Sequence, residues 1–269
     1  MHPSNQQAAR KFRDLHTDGV LILANAWDAG SARVTETAGA KAVATTSAGL
    51  AWSCGYPDGD ALPADVLVSA IASISRVIHV PLTADVEGGY SSEPGKVADL
   101  ILRIVEAGAV GINIEDGSGS VDLLCAKIEL IRARTLQAGV DVFINARTDV
   151  YLRGLVDKEN RLSETLRRAA AYKNAGVDGI FAPGLSGPDE IVQLCAQIAL
   201  PINLMAVPGL PTLAELRALG VKRLSAGSAI AQTMFGHTQR IANAFLKSGN
   251  SAELFAPGSA DFKTLNAMF

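Results

Sequence analysis

Ala175-Gly176-Val177-Asp178-Gly179-Ile180 carries the plan of this chain in six residues: a helix end, a glycine stop and the start of a strand. The same signature recurs as Ala38-Gly39-Ala40-Lys41-Ala42-Val43, Ala107-Gly108-Ala109-Val110-Gly111-Ile112, Ala138-Gly139-Val140-Asp141-Val142-Phe143 and Leu219-Gly220-Val221-Lys222-Arg223-Leu224. Each glycine follows an amphipathic stretch and reads as the left-handed residue that ends a helix. The residues after it are apolar with little alternation, as in parallel strands covered on both faces. Extended outward, the pattern predicts strands near 20–27, 42–49, 80–87, 110–116, 141–149, 178–183, 201–207 and 222–227. Helices are predicted near 30–39, 63–78, 93–107, 121–138, 161–175, 188–199, 211–219 and 228–247, with a leading helix near 4–17. Eight strand–helix units in 269 residues favour an α/β fold of the (β/α)8 TIM-barrel type over an open doubly wound sheet. No linker-like stretch divides the chain, so one domain over 1–269 is expected.

Composition narrows the function. The chain is 48% hydrophobic and 19% charged, with 24 Lys+Arg against 27 Asp+Glu and a net charge of −3. That balance gives no basic footprint for nucleic acid and no cationic patch for a membrane surface. The polar start Met1-His2-Pro3-Ser4-Asn5-Gln6-Gln7 lacks the apolar core of a secretion signal. No run reaches the ~18 apolar residues of a membrane span. Cys54, Cys125 and Cys195 are too scattered for a disulfide framework or a zinc site. A soluble, reduced, cytoplasmic protein is expected.

In a barrel of this type the chemistry lies at the C-terminal ends of the strands. The third predicted strand ends in Asp85-Val86-Glu87, and alternation puts both carboxylates on one face. The fourth ends in Asn113-Ile114-Glu115-Asp116 and the fifth in Asn145-Ala146-Arg147-Thr148-Asp149. If those faces are interior, three carboxylates and an arginine converge at one mouth. Crowded carboxylates repel and are driven to protonate unless a cation joins them. Carboxylate and water ligation without histidine is the Mg2+ pattern, and none of the four histidines lies at a strand end. Arg147, set in an apolar run, suits a substrate carboxylate or phosphate, or an internal salt bridge. Small and hydroxyl residues in Ala44-Thr45-Thr46-Ser47-Ala48-Gly49 offer a second anion contact, and Ser225-Ala226-Gly227-Ser228 sits where barrels often bind phosphate.

These segments, in this order, resemble the isocitrate lyase / phosphoenolpyruvate mutase superfamily over nearly the whole chain. The match also includes Asn25-Ala26-Trp27-Asp28-Ala29-Gly30-Ser31-Ala32 and Gly55-Tyr56-Pro57-Asp58. The resemblance implies a barrel with its last helix exchanged between subunits, Mg2+ or Mn2+, and 2-oxo or 2-hydroxy carboxylic acid substrates cleaved through an enolate. By position, Asp85, Glu87 and Glu115 would form the metal shell, Glu87 replacing the family's Asp. Arg147 would bind the substrate carboxylate, helped by Thr46 and Ser47. Asp58 occupies the place of a family acid near the metal, and with Arg147 is assigned a catalytic role. Trp27 and Asn203 would be pocket-wall residues.

The chain also departs from the family. The lyases' Lys-Arg-Cys-Gly-His loop is missing, because Glu115-Asp116-Gly117-Ser118-Gly119-Ser120 runs straight into the next helix. Cys125 reads as a buried helical thiol, and Ser228 or a neighbour stands where a decarboxylase branch has His. The leading expectation is a Mg2+-dependent carbon–carbon lyase, similar to 2-methylisocitrate lyase or oxaloacetate decarboxylase. The alternatives are P–C chemistry of the phosphonopyruvate hydrolase or mutase type, and a non-catalytic oxo-acid-binding barrel. The apolar series Phe245, Leu246, Leu254, Phe255, Phe262, Leu265 and Phe269 predicts a homo-oligomer, a tetramer of paired subunits held partly by residues 228–269. The other outcome is a tail folded back on its own barrel.

Overall fold

The helix α1 (Pro3–Asp14) precedes the first strand and plugs the bottom of the sheet. Its Phe12 is fully buried and meets Phe143 edge-on at 5.4 Å, while His16 stacks on Phe143 at 4.2 Å and meets Phe12 edge-on at 5.0 Å. Gly111 makes room for this plug, since a Cβ there would lie 2.7 Å from the Phe12 ring. The computed structural model describes residues 3–255 and 258–269.

The first strand comes in two pieces, β1 (Leu21–Leu23) and β2 (Asn25–Ala26), separated by Ala24. The chain continues through α2 (Ala29–Thr37), β3 (Val43–Thr45), α3 (Ser47–Ser53), α4 (Ala64–Val77), β4 (Leu82–Asp85), α5 (Pro94–Glu106), β5 (Gly111–Glu115) and α6 (Val121–Gln137). It proceeds through β6 (Phe143–Arg147), α7 (Arg161–Ala175), β7 (Gly179–Phe181), α8 (Pro188–Gln197), β8 (Ile202–Met205) and α9 (Leu213–Ala218). The last elements are β9 (Arg223–Ser225), α10 (Ala229–Ser248) and a short α11 (Phe262–Asn266). All pairings are parallel, in the order β1-β9-β8-β7-β6-β5-β4-β3-β2. Because β1 pairs with β9 and β2 with β3, the two halves of one extended segment bring the ends of the sheet together. The architecture is the expected α/β barrel, with its first strand broken at one residue.

The glycine stops behave as read. Gly39, Gly108, Gly139, Gly176 and Gly220 have φ between +81° and +114°. At Gly108 the requirement is also spatial, because a Cβ would fall 2.0 Å from the Ser75 hydroxyl of α4.

One further feature differs from the sequence expectation. The predicted strand 42–49 ends at Thr45, and the chain turns helical at Ser47 to form α3. Its buried Ala48-Gly49-Leu50-Ala51 face explains the turn: a Cβ on Gly49 would approach Ala231 and the Trp27 Cβ at 3.0 Å. The helix expected near 228–247 is α10, where Ala231 is the buried residue. Ile230, Met234, Phe235, Phe245 and Leu246 on α10 are exposed, Leu246 by 82%. Near the base of α10, Ile22 is 52% exposed on the outside of β1 and lines a groove of about 610 Å³ with Val34 and Ile230. The tail touches its own barrel at Arg33, whose Nε donates to the Met268 carbonyl at 2.6 Å. Residues 256 and 257 of the predicted C-terminal segment lie outside the described residues.

Candidate active site

At the C-terminal ends of the strands lies a cavity of about 190 Å³. Five of the sequence-derived candidates line it: Thr46, Ser47, Asp58, Asp85 and Arg147. Thr46 is the N-cap of α3 and makes no side-chain cap to that helix, so its hydroxyl is not committed there. Asp58 comes from the exposed loop after α3. Asp85 ends β4, is 8% exposed, and takes an N–H from Glu87 on Oδ1 at 3.2 Å.

Arg147 is the hub of the charge network. Its Nε and Nη2 donate to Asp149 at 2.7 and 3.0 Å, and its Nη1 meets Glu115 at 2.7 Å. A guanidinium has five N–H donors, so three are used and two remain for a ligand. Arg153 adds a 2.7 Å contact to the fully buried Asp149. Arg147 is thus both the internal ion pair and an available anion contact. Glu115 shows the balance of forces. Burial, with Asp85 and Asp149 nearby, outweighs its share of Arg147 and pushes its pKa up to about 8. Burial likewise raises Asp85 above the usual carboxylate range, against the pull of Arg147 and the donors on it.

Glu87 faces elsewhere. Its Oε2 accepts the backbone N–H of Gly59, at 2.8 Å, and of Asp60, while Oε1 accepts the Tyr90 hydroxyl at 2.8 Å. Asp60 in turn accepts the Tyr90 N–H at 3.1 Å. Asp60, Glu87 and Tyr90 are the non-glycine residues at positive φ among the described residues, at 57°, 49° and 58°. Such conformations are strained and persist where surrounding contacts fix them. Here they clasp the Asp58 loop to the loop after Asp85.

Trp27 and Asn203 do not line the cavity. Trp27 is half-buried beside α3, and its backbone N–H donates to Ser31 Oγ at 3.0 Å. Asn203 belongs to a polar layer under the site. Asn145 Nδ2 donates to Asn113 Oδ1 at 2.9 Å and to Asn203 Oδ1 at 3.2 Å, and Asn203 donates to Ser225 at 3.1 Å. Arg223, fully buried, donates to Asn113 at 3.0 Å from below. Sequence reading gave no role to Arg223, Leu152, Phe181 or Met205, of which the last three line the cavity. Their only signal was position at a strand end or just beyond one. Asp116 is structural: it accepts from Asp149 N, Arg168 and Tyr172.

Among the described residues no three His, Cys, Asp or Glu side chains converge into a ready metal cage. The donor set nonetheless suits a hard divalent ion that keeps much of its water: a buried Asp85 carboxylate without a cation in contact, and Glu115 behind it.

A family model described as phosphoenolpyruvate phosphomutase matches residues 12–246. The chain belongs to that family. The match bears out the expected isocitrate lyase / phosphoenolpyruvate mutase superfamily, a family of enzymes. A Burkholderia cenocepacia J2315 protein provisionally assigned as a phosphonomutase is 40% identical, with a TM-score of 0.82 over 91% of this chain and 100% of its own. An oxaloacetate decarboxylase of Pseudomonas entomophila is 29% identical over 233 residues, 81% of this chain and 78% of the relative. A phosphonopyruvate hydrolase solved with oxalate and Mg2+ shares the fold at 23% identity and a TM-score of 0.83, over 98% of this chain and 94% of its own.

Proposed function

We propose that the chain is a Mg2+-dependent lyase cleaving a carbon–carbon bond of a small 2-oxo or 2-hydroxy carboxylic acid through an enolate. The observation that carries the reading is Arg147, held by Asp149 and Glu115 with donors to spare, in one cavity with Asp85, Thr46 and Ser47. Arg147 binds the substrate carboxylate, with the Thr46 and Ser47 hydroxyls as further donors. Asp85, backed by Glu115, would hold the divalent ion, with Mn2+ as its substitute. When bound, that ion acts as a Lewis acid toward the charge developing on the substrate oxygen. Asp58 is the cavity carboxylate free to move a proton. Glu87 supports the site indirectly, by fixing the loop that carries Asp58.

Carbon–carbon cleavage is favoured over P–C chemistry by the Ser225–Ser228 turn. Gly227 N–H is committed to Asn25 at 3.0 Å, Ala226 N–H to Leu23 at 3.0 Å, and the Ser225 hydroxyl to Leu204 at 3.3 Å. Those three donors are not available to a phosphonate, which leaves Ser228, at the cavity wall and accepting from Gln232 Nε2 at 3.3 Å, as the turn's remaining contact. The named decarboxylase relative supports the same choice.

The exposed face of α10 and the open groove at Ile22 support an oligomer in which a second copy covers both, with paired dimers forming a tetramer. The reading is of a cytoplasmic enzyme without nucleic-acid or membrane partners. Its three free thiols, Cys54 exposed, are in keeping with a reducing compartment. Among the described residues no helix is long and apolar enough to cross a membrane.

The test is a panel of oxo and hydroxy acids incubated with Mg2+, following release of a 2-oxo acid. Turnover supports the lyase. Tight oxalate binding without any turnover would mean a binding barrel, and phosphate from phosphonopyruvate would mean P–C chemistry.

A further inference from the structure

Strand register sets Asp85, Asn113 and Asn145 in one row. Asn113 on β5 is the Cα partner of Asp85 on β4 and of Asn145 on β6. Asp85 and Asn113 both line the cavity. An amide in that place can turn either end toward the cavity, and the groups around Asn113 decide which. Its Oδ1 accepts from Asn145 Nδ2 at 2.9 Å and from Arg223 Nη2 at 3.0 Å. A guanidinium donates and never accepts, so Arg223 admits the oxygen of Asn113 and excludes its nitrogen. Turning the amide over would set N–H against N–H from two directions. Nδ2 is thereby left on the side of Asp85, whose ionised form it favours. The nitrogen carries two N–H groups, and one contact to Asp85 uses one of them. The second is left for a ligand in the cavity.

Arg223 has little other use. It is 1% exposed, its guanidinium carbon lies 5.9 Å over the Phe12 ring, and Asn113 is its hydrogen-bond partner. Its Nε and Nη1 have no hydrogen-bond partner among the described residues. A buried charge held so sparingly is costly for the fold. What it does is impose a direction. With Asn113 fixed, Asn145 Nδ2 reaches Asn203 Oδ1 at 3.2 Å, and Asn203 Nδ2 goes on to Ser225 at 3.1 Å.

Resting on the lyase reading, we propose that Asn113 Nδ2 donates to the 2-oxo oxygen of a substrate whose carboxylate lies on Arg147, and that Arg223 is the positioning residue that holds the amide in that sense. Arg147 stands two residues beyond Asn145 on β6, so a 2-oxo acid held there turns its neighbouring oxygen down toward the row of Asp85 and Asn113. Negative charge gathers on that oxygen as the carbon–carbon bond breaks. A donor already oriented toward it stabilises the charge without reorganising.

The experiment is calorimetric titration of the full chain in Mg2+ with oxalate, whose second carboxylate puts an oxygen in the place of the 2-oxo group. Asn113→Ala should weaken oxalate binding by about 10- to 100-fold. Asn113→Asp keeps the oxygen that Arg223 and Asn145 require, so the fold is protected. It should still bind Mn2+ while losing more oxalate affinity than Asn113→Ala, a split that misfolding does not produce. Arg223→Met should weaken oxalate roughly tenfold, and Arg223→Lys, which still donates to Oδ1, should recover most of that loss. Added to Asn113→Ala, Arg223→Met should cost no more than about twofold further, because the two act as one unit. Native oxalate affinity in both Asn113 variants would overturn the contact. An Arg223→Met loss that persists in full beside Asn113→Ala would overturn the positioning role. No oxalate binding by the native chain would overturn the lyase reading itself.

Discussion

Arg147 and Asp149, two residues apart at the end of β6, form a bidentate pair at 2.7 and 3.0 Å with the carboxylate fully buried. The pair orients the guanidinium without exhausting it, since Nη1 and Nη2 each keep a donor beyond the bonds to Asp149 and Glu115. A flexible ammonium could not be held in that plane.

Arg147→Lys should therefore lose oxalate affinity nearly as severely as Arg147→Ala, by about 2–4 kcal/mol, or roughly 30- to 1,000-fold. Stability should separate the two. Arg147→Ala strands two buried carboxylates and should cost about 3 kcal/mol or more, while Lys retains part of that. Recovery of most oxalate affinity by Lys would mean that Arg147 acts as a point charge.

Asp85→Asn should leave the barrel folded, because it removes a charge that burial already disfavours. Mn2+ affinity, measured by electron paramagnetic resonance, should fall by about 100-fold or more, beyond what loss of an outer-shell partner produces. An unchanged Mn2+ isotherm would remove Asp85 from the metal shell.

Stability should fall in acid because of His16 beneath the barrel. Burial, with Arg223 near, lowers its pKa from 6.5 to about 4. The unfolded chain takes up this proton first, so the neutral folded imidazole contributes its full stability above pH 6.5. That contribution is lost as pH falls through about 4, and amounts to about 3 kcal/mol. Chemical denaturation between pH 7 and 4 should show this slope in the native chain and a flatter one in His16→Gln. Identical slopes would remove His16 as the source.

Light scattering at micromolar concentration should give a mass well above 28.0 kDa, and deletion after Gly249 should weaken the assembly. Ile230, Met234, Phe235, Phe245 and Leu246 are exposed on α10, and large exposed apolar patches mark interaction surfaces. A monomer mass that the deletion leaves unaltered would favour the fold-back already seen at Arg33 and Met268.

The barrel was legible because its punctuation is local: a left-handed glycine after an amphipathic stretch reads the same before and after folding. The acids at the ends of β4 and β5 were legible for a similar reason, since alternation along a strand assigns faces. Alternation could not distinguish Asp85, which opens on the cavity, from Glu87, which turns away at positive φ to hold Gly59 and Asp60. That choice depends on a loop contact 27 and 28 residues distant in the chain. Nor could it reveal α3, whose start at Ser47 depends on packing against Ala231. Phe181 carried no motif and Arg223 only a place in the strand-start repeat, and their meaning comes from the strands beside them.

The central claim, metal-dependent carbon–carbon cleavage at Asp85 and Arg147, is tested most directly by product analysis. A mixture of 2-oxo and 2-hydroxy acids is incubated with the protein and Mg2+ and followed by mass spectrometry. One acid should disappear as a shorter 2-oxo acid and its complementary carbonyl fragment or CO2 appear, and EDTA or Asp85→Asn should abolish the change. Phosphate released from phosphonopyruvate, or oxalate bound while every acid stays intact, would contradict the account.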